Sequence, residues 1–194
     1  MGEPRLTRAA LLRGGAVVAA GATAGVALAP AGRAAEPSPA RDRAILRFAL
    51  FLEDLQAAFY ADALARATLS GELLEYAQVV GGHERSHAAH VRRVLGSAAP
   101  SPPRFDFRDA ASDPTRFLET AITLEDLGVS AYNGAAASLT ADALADAARI
   151  VSVEARHAAW VRDLAGKSPA PDASDPSVSA VEAKAVIDRL DFVV

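Results

Sequence analysis

The pentapeptide His83-Glu84-Arg85-Ser86-His87 could do metal chemistry in two incompatible ways. Read as H-E-x-x-H, it sets two histidines one helical turn apart with a glutamate between them, the pattern of a zinc peptidase. Read as E-x-x-H, only Glu84 and His87 count. Their i, i+3 spacing places a carboxylate and an imidazole on one face of a helix. That smaller unit is one part of a carboxylate-bridged dimetal site built between four helices.

An internal repeat separates the readings. Leu52-Glu53-Asp54-Leu55 is followed by Tyr60, and Leu124-Glu125-Asp126-Leu127 is followed by Tyr132, 72 residues later. Glu84-Arg85-Ser86-His87-Ala88-Ala89 is followed by Val91-Arg92 and Gly96. Glu154-Ala155-Arg156-His157-Ala158-Ala159 is followed by Val161-Arg162 and Gly166, at an offset of 70. The shared unit is therefore E-x-x-H. His83 corresponds to Val153 and His90 to Trp160, so His83 and His90 are expected beside the ligands rather than among them. A zinc peptidase would also need a third protein ligand and a substrate cleft.

The elements that must position these residues read as helices. Alanine and other strong helix formers dominate the 194-residue chain, which predicts an all-α fold. The periodicity predicts a first helix over about 41–67, with Ile45, Phe48, Leu52, Gln56, Phe59 and Tyr60 on one stripe. A second spans about 72–95, capped by Ser70 and interrupted by Gly81-Gly82, where close packing is expected. Residues 97–113, with Pro100, Pro102 and Pro103, read as a long crossover. Asp113-Pro114 starts a third helix reaching about Leu139, with fraying at Asn133-Gly134. Thr140 is expected to cap a fourth, about 141–165. A linker, 167–177, leads to a short fifth helix, about 178–190, and a tail that can dock on the bundle or a partner. Glu182, Asp188 and Asp191 read as a solvated face.

Four such helices would aim Glu53, Glu84, Glu125, Glu154, His87 and His157 at one axis. Four buried carboxylates without a cation repel one another and shift toward protonation. Two metal ions remove that cost. The chain has no Cys, so thiolate sites, disulfides and iron–sulfur clusters are excluded. Oxygen and imidazole donors suit iron or manganese, with zinc a further occupant. The net charge of -4 gives no reason to expect nucleic acid as a partner.

This constellation, over about residues 41–166, resembles the ferritin-like superfamily of di-iron and di-manganese carboxylate proteins. The resemblance implies an antiparallel four-helix bundle with a long crossover between helices two and three. It implies Glu53 and Glu125 as terminal carboxylates, Glu84 and Glu154 as bridges, and His87 and His157 as caps on one metal each. Tyr60 and Tyr132 stand where such proteins place near-site tyrosines, and they are the candidate catalytic residues. Packing, with the hydroxyl bonded to a nearby carboxylate, is the simpler expectation for both. Implied partners are two iron or manganese ions, dioxygen or peroxide, and a homo-oligomeric copy. The implied chemistry is of oxidase, peroxidase or ferroxidase type. The alternative is a non-catalytic envelope or stress protein whose site is structural or empty. Gly128, at i+3 from Glu125, departs from rubrerythrin-like relatives, which carry an extra carboxylate there. The only Met is the initiator, so no methionine can ligate haem as in bacterioferritin-like ones.

Residues 1–35 are a different material. Arg5, Arg8 and Arg13 precede an apolar run, Gly14 to Ala29, then Pro30 and Gly32-Arg33-Ala34-Ala35. That is the pattern of an export signal cleaved near Ala34 or Ala35. Thr7-Arg8-Ala9-Ala10-Leu11-Leu12-Arg13 resembles a twin-arginine signal with Ala9 in place of the second arginine, and a general secretory signal is the alternative. The expected organisation is a signal (1–35), a bundle (36–166), and a linker with a short helix (167–194). The mature chain is expected to be exported and to carry no membrane span.

Overall fold

The structure is a computed structural model and describes residues 36–194, so the expected export signal lies outside the described residues. Among the described residues five α-helices carry the fold: α1 (Pro39–Arg66), α2 (Gly71–Leu95), α3 (Pro114–Ala135), α4 (Ala141–Leu164) and α5 (Ala180–Leu190). The first four form a bundle and the fifth is a short addition, as expected.

Local chemistry sets the helix ends. Ser38 Oγ accepts from the Arg41 amide at 3.3 Å, with Pro39 in the first turn, so α1 starts two residues before the periodicity suggests. Asp113 Oδ1 accepts from the Arg116 amide at 2.9 Å and starts α3. Ser179 and Glu182 form a reciprocal capping box, and α5 therefore begins at Ala180 rather than 178. Ser70 and Thr140 stand at cap positions without a side-chain cap bond. Thr140 instead gives its amide (2.9 Å) and hydroxyl (2.6 Å) to Asp42, tying the α3–α4 turn to the start of α1.

α1 packs on α2 and α3 packs on α4, and the two hairpins meet through α1 with α3 and α2 with α4. The crossover, residues 96–113, explains how both pairs are antiparallel. Arg47 Nε donates to Ala98 O at 2.8 Å near the start of α1, while Phe107 stacks edge-on to Phe59 farther along it. The crossover thus runs beside α1 toward its C-terminal end. Phe59 there stacks on Phe117 of α3 at 5.2 Å, so α3 begins at the end where α1 finishes.

The C-terminal tail docks on this crossover. Phe105 and Val193 form an antiparallel bridge, and Asp106 N donates to Phe192 O at 2.9 Å. Phe192 is buried against Phe107. Ala183 and Ile187 of α5 are buried in the same core cluster, while Glu182, Asp188 and Asp191 are exposed and spend themselves on capping and ion pairs.

α3 does not fray at Asn133-Gly134. Gly134 is the point where the incoming linker crosses it: a Cβ there would stand 1.9 Å from Val178 O. Val178 N donates to Ser130 O, and Asn133 Nδ2 donates to Pro176 O. The α-helix closes at Ala135, and a 3-10 turn, Ala136–Ser138, follows. Gly81 meets the close-packing expectation. A Cβ there would lie 2.8 Å from the Cβ of Tyr60, which lets α2 approach α1.

Candidate metal centre

Each bundle helix turns one acidic residue from its apolar stripe toward the axis. Glu53 comes from α1, Glu84 from α2, Glu125 from α3 and Glu154 from α4, and all four are at most 1 % exposed. His87 follows Glu84, and His157 follows Glu154, by one turn of the same helix face. The structure brings all six predicted residues together. Their inward atoms form two quartets, Glu53, Glu84, His87 and Glu154, and Glu84, Glu125, Glu154 and His157, with donors in each within 4.8 Å of one another. Glu84 and Glu154 belong to both.

The geometry within each quartet is that of donors crowded around a point. His87 Nδ1 lies 2.8 Å from Glu154 Oε1, 3.4 Å from Glu53 Oε2 and 3.7 Å from Glu84 Oε2. His157 Nδ1 lies 3.1 Å from Glu84 Oε1 and 3.3 Å from Glu125 Oε2. None of these approaches is aligned as a hydrogen bond. Both oxygens of Glu84 and Glu154, one oxygen each of Glu53 and Glu125, and both inward Nδ1 atoms are buried without a hydrogen-bond partner. Orphaned buried polar atoms are rare because each costs its full desolvation. Eight around one axis form a donor set that fits a metal ion or ions.

The electrostatics agree. Burial, with Glu125 and Glu53 adding repulsion and His87 opposing it, holds the Glu84 carboxyl well above the usual range. Burial, then repulsion from Glu84 and Glu53, does the same to Glu154. Burial works against the charged form of His87, but Glu154, Glu53 and Glu84 together push it up to about 12. Without a metal the cluster therefore recruits protons as its cations.

The two candidate tyrosines hold the outer oxygens, in a crossed arrangement. Tyr60 of α1 donates to Glu125 Oε1 of α3, and Tyr132 of α3 donates to Glu53 Oε1 of α1, each at 2.5 Å. Burial, then the neighbouring carboxylate, raises both phenols well above 10.0, so both keep the proton they donate.

The first histidine of the opening pentapeptide stands outside both quartets. His83 Nδ1 meets the outer nitrogen of His157, Nε2, at 2.9 Å. His90 lies 3.5 Å from Asp146 and away from the cluster. The repeat also extends to braces. Arg92 of α2 pairs with Asp54 of α1 at 2.8 Å, and Arg162 of α4 pairs with Asp126 of α3 at 2.7 Å.

Two residues at the site escape a reading by composition. Gln56, 2 % exposed, donates from Nε2 to Glu125 Oε1 at 3.3 Å. Its signal was available, a lone amide at i+3 from Glu53 on an apolar stripe. Its repeat counterpart is Gly128, and the amide fills the space Gly128 leaves open, 3.6 Å from where a Cβ would be. Tyr76, buried, shares a hydrogen bond with the Tyr60 hydroxyl at 3.0 Å. Asp146 stands at its repeat position, so the repeat gives no hint of it.

The profile of the ferritin-like domain family matches residues 41–167. No curated protein matches the chain.

Proposed function

Since this chain belongs to the ferritin-like domain family, we propose that its buried cluster is a dinuclear iron or manganese centre in an exported protein. The observation that carries the reading is the set of eight inward-facing donor atoms left without hydrogen-bond partners.

In this reading Glu84 and Glu154, shared by both quartets, would be held in common by the two ions. Glu53 and Glu125 would each offer Oε2, because their Oε1 atoms are held by Tyr132 and Tyr60. His87 and His157 would offer one Nδ1 each. A redox-active ion pair there would supply electron exchange with dioxygen or peroxide, as in oxidase, peroxidase or ferroxidase chemistry. The chain's own part is to hold charge and protons in place. Tyr60 and Tyr132 keep the terminal carboxylates oriented, and burial of all four glutamates to at most 1 % exposure keeps bulk water from the carboxylates. Two clefts beside α2 and α4, of about 420 Å³ and 390 Å³, are both lined by His87.

Export rests on the basic, apolar and small-residue pattern of residues 1–35. Among the described residues no helix is long and apolar enough to cross a membrane.

Metal analysis of the protein purified from its native compartment tests the site. About two iron or manganese ions per chain are expected for this ligand set. Fewer than about half an ion per folded chain would sink the dimetal reading. Recovery of a chain that still begins at Met1 from the cell interior would sink export.

A further inference from the structure

We infer that the two metal positions are unequal: the Glu125–His157 position retains its ion, the Glu53–His87 position exchanges its ion, and Gln56 and His83 are the positioning residues that set the difference. The inference rests on the dimetal reading above and adds to it an order of loading and release.

The ligands themselves are symmetric. Each position has one terminal glutamate, one histidine and the two shared carboxylates. Each terminal glutamate has a tyrosine on its Oε1. The asymmetry lies one layer out. Glu125 Oε1 takes a second hydrogen bond from Gln56. The corresponding place beside Glu53 belongs to Gly128, which has no side chain to give one. A Cβ on Gly128 would come within 3.1 Å of Glu154 Oε2, so any side chain there would press on that carboxylate.

The histidines differ in the same sense. Once Nδ1 of His157 gives its lone pair to an ion, its hydrogen must sit on Nε2, and His83 Nδ1, 2.9 Å away, is then placed to accept it. That bond fixes the tautomer and ring orientation and raises the basicity of the inner nitrogen. Val153 occupies the corresponding place on the other side, and its apolar side chain offers no such bond to Nε2 of His87. Access runs the same way. His87 has three times the side-chain exposure of His157, 12 % against 4 %, and lines both clefts. His157 lines only the first. The less braced position is the one nearer solvent.

Repulsion between two like ions separates binding steps even at identical positions. The deciding readout is therefore which step each variant changes. Metal-free protein is titrated anaerobically with manganese(II), with unbound ion followed by its electron paramagnetic resonance signal. His87→Ala is expected to keep one tight ion and His157→Ala one weak ion, more than about tenfold apart. His83→Val and Gln56→Ala, which install the repeat's own residue or remove the amide, are expected to weaken the tight step about 10–100-fold and leave the weak step unchanged. His83 is exposed, so its variant keeps the fold, and far-UV circular dichroism checks both. A chelator challenge of the wild type should strip one ion quickly and the other slowly.

Equal affinities in the two histidine variants, or a tight step untouched by His83→Val and Gln56→Ala, overturn the inference while leaving the dimetal reading intact. Loss of the tight ion in His87→Ala overturns it too. A wild type that binds no manganese at all sinks the dimetal reading, and this inference with it.

Discussion

The hydroxyl of Tyr60 on α1 donates to Glu125 on α3, not to Glu53, the glutamate two turns before it on its own helix. Tyr132 mirrors it on Glu53. The near-site tyrosines thus join the two hairpins at the level of the site. A buried donor to a charged or part-charged carboxylate is among the stronger hydrogen bonds a fold can make. Tyr60→Phe leaves that oxygen with Gln56 alone and also strips a partner from Tyr76. The metal-free variant is expected to lose about 1–3 kcal/mol of stability in urea denaturation. An unchanged midpoint would mean the bond contributes nothing to the fold.

Gly81 and Gly82 are adjacent in sequence, yet substitution should act in opposite directions. A methyl group at position 81 collides with the Cβ of Tyr60 at 2.8 Å, a backbone-anchored atom that cannot step aside. Gly81→Ala is expected to destabilise by about 1–3 kcal/mol. At position 82 the nearest atom is the end of the Arg85 side chain, 3.8 Å away. Gly82→Ala is expected to stabilise by up to about 1 kcal/mol through helix propensity. Thermal melts of the two variants decide it, and the same sign for both would contradict the packing described.

The pH dependence of stability should reverse when metal is added. Glu84 and Glu154 have folded-state values above their unfolded ones, so the folded metal-free chain binds more protons than the unfolded chain. Its stability is then full below the unfolded carboxylate value, about 4.5, and falls as pH rises. His87, pushed up from 6.5 to about 12, acts in the same direction from about pH 6.5 upward. Metal competes with those protons, so its affinity rises with pH. Urea midpoints between about pH 5.5 and 8.5 are expected to fall for the metal-free protein, and metal-induced stabilisation is expected to grow. A metal-free protein that gains stability across that range would refute the electrostatic account of the cluster.

Glu154→Gln keeps the shape of the carboxylate common to both quartets and removes its charge. At pH 8 the metal-free variant should be more stable than the wild type, because burial and neighbouring carboxylates oppose ionisation at this position. The same change should cost at least about tenfold in manganese affinity. Calorimetry of metal binding beside urea denaturation separates the effects. A variant that loses stability and keeps its affinity would remove Glu154 from the ligand set.

Much of the fold was legible from the chain alone. The helix pattern, the crossover and the E-x-x-H repeat followed from spacing, because an α-helix turns i, i+3 and i+4 onto one face whatever it later packs against. Helix ends were less legible where the cap bonds outside its own turn. Thr140 stands at the right place to cap α4, yet its hydroxyl is taken by Asp42, on another helix. Gly134 reads as a breaker by composition, but in the fold it admits the carbonyl of Val178 and stays helical.

The sequence by itself determined the glutamates and histidines of the cluster, their pairing into two like halves and the face of the helix each occupies. Those are consequences of residue chemistry and a fixed helical period. Only the tertiary structure decided that Tyr60 serves Glu125, that Gln56 fills the space over Gly128 and that His83 meets His157. Each is a contact between residues 65 to 74 apart in the chain. Helical spacing says which way a side chain faces. Which partner stands there is set by how the two hairpins pack, and the repeat, being the same in both halves, cannot say which half a residue will reach into.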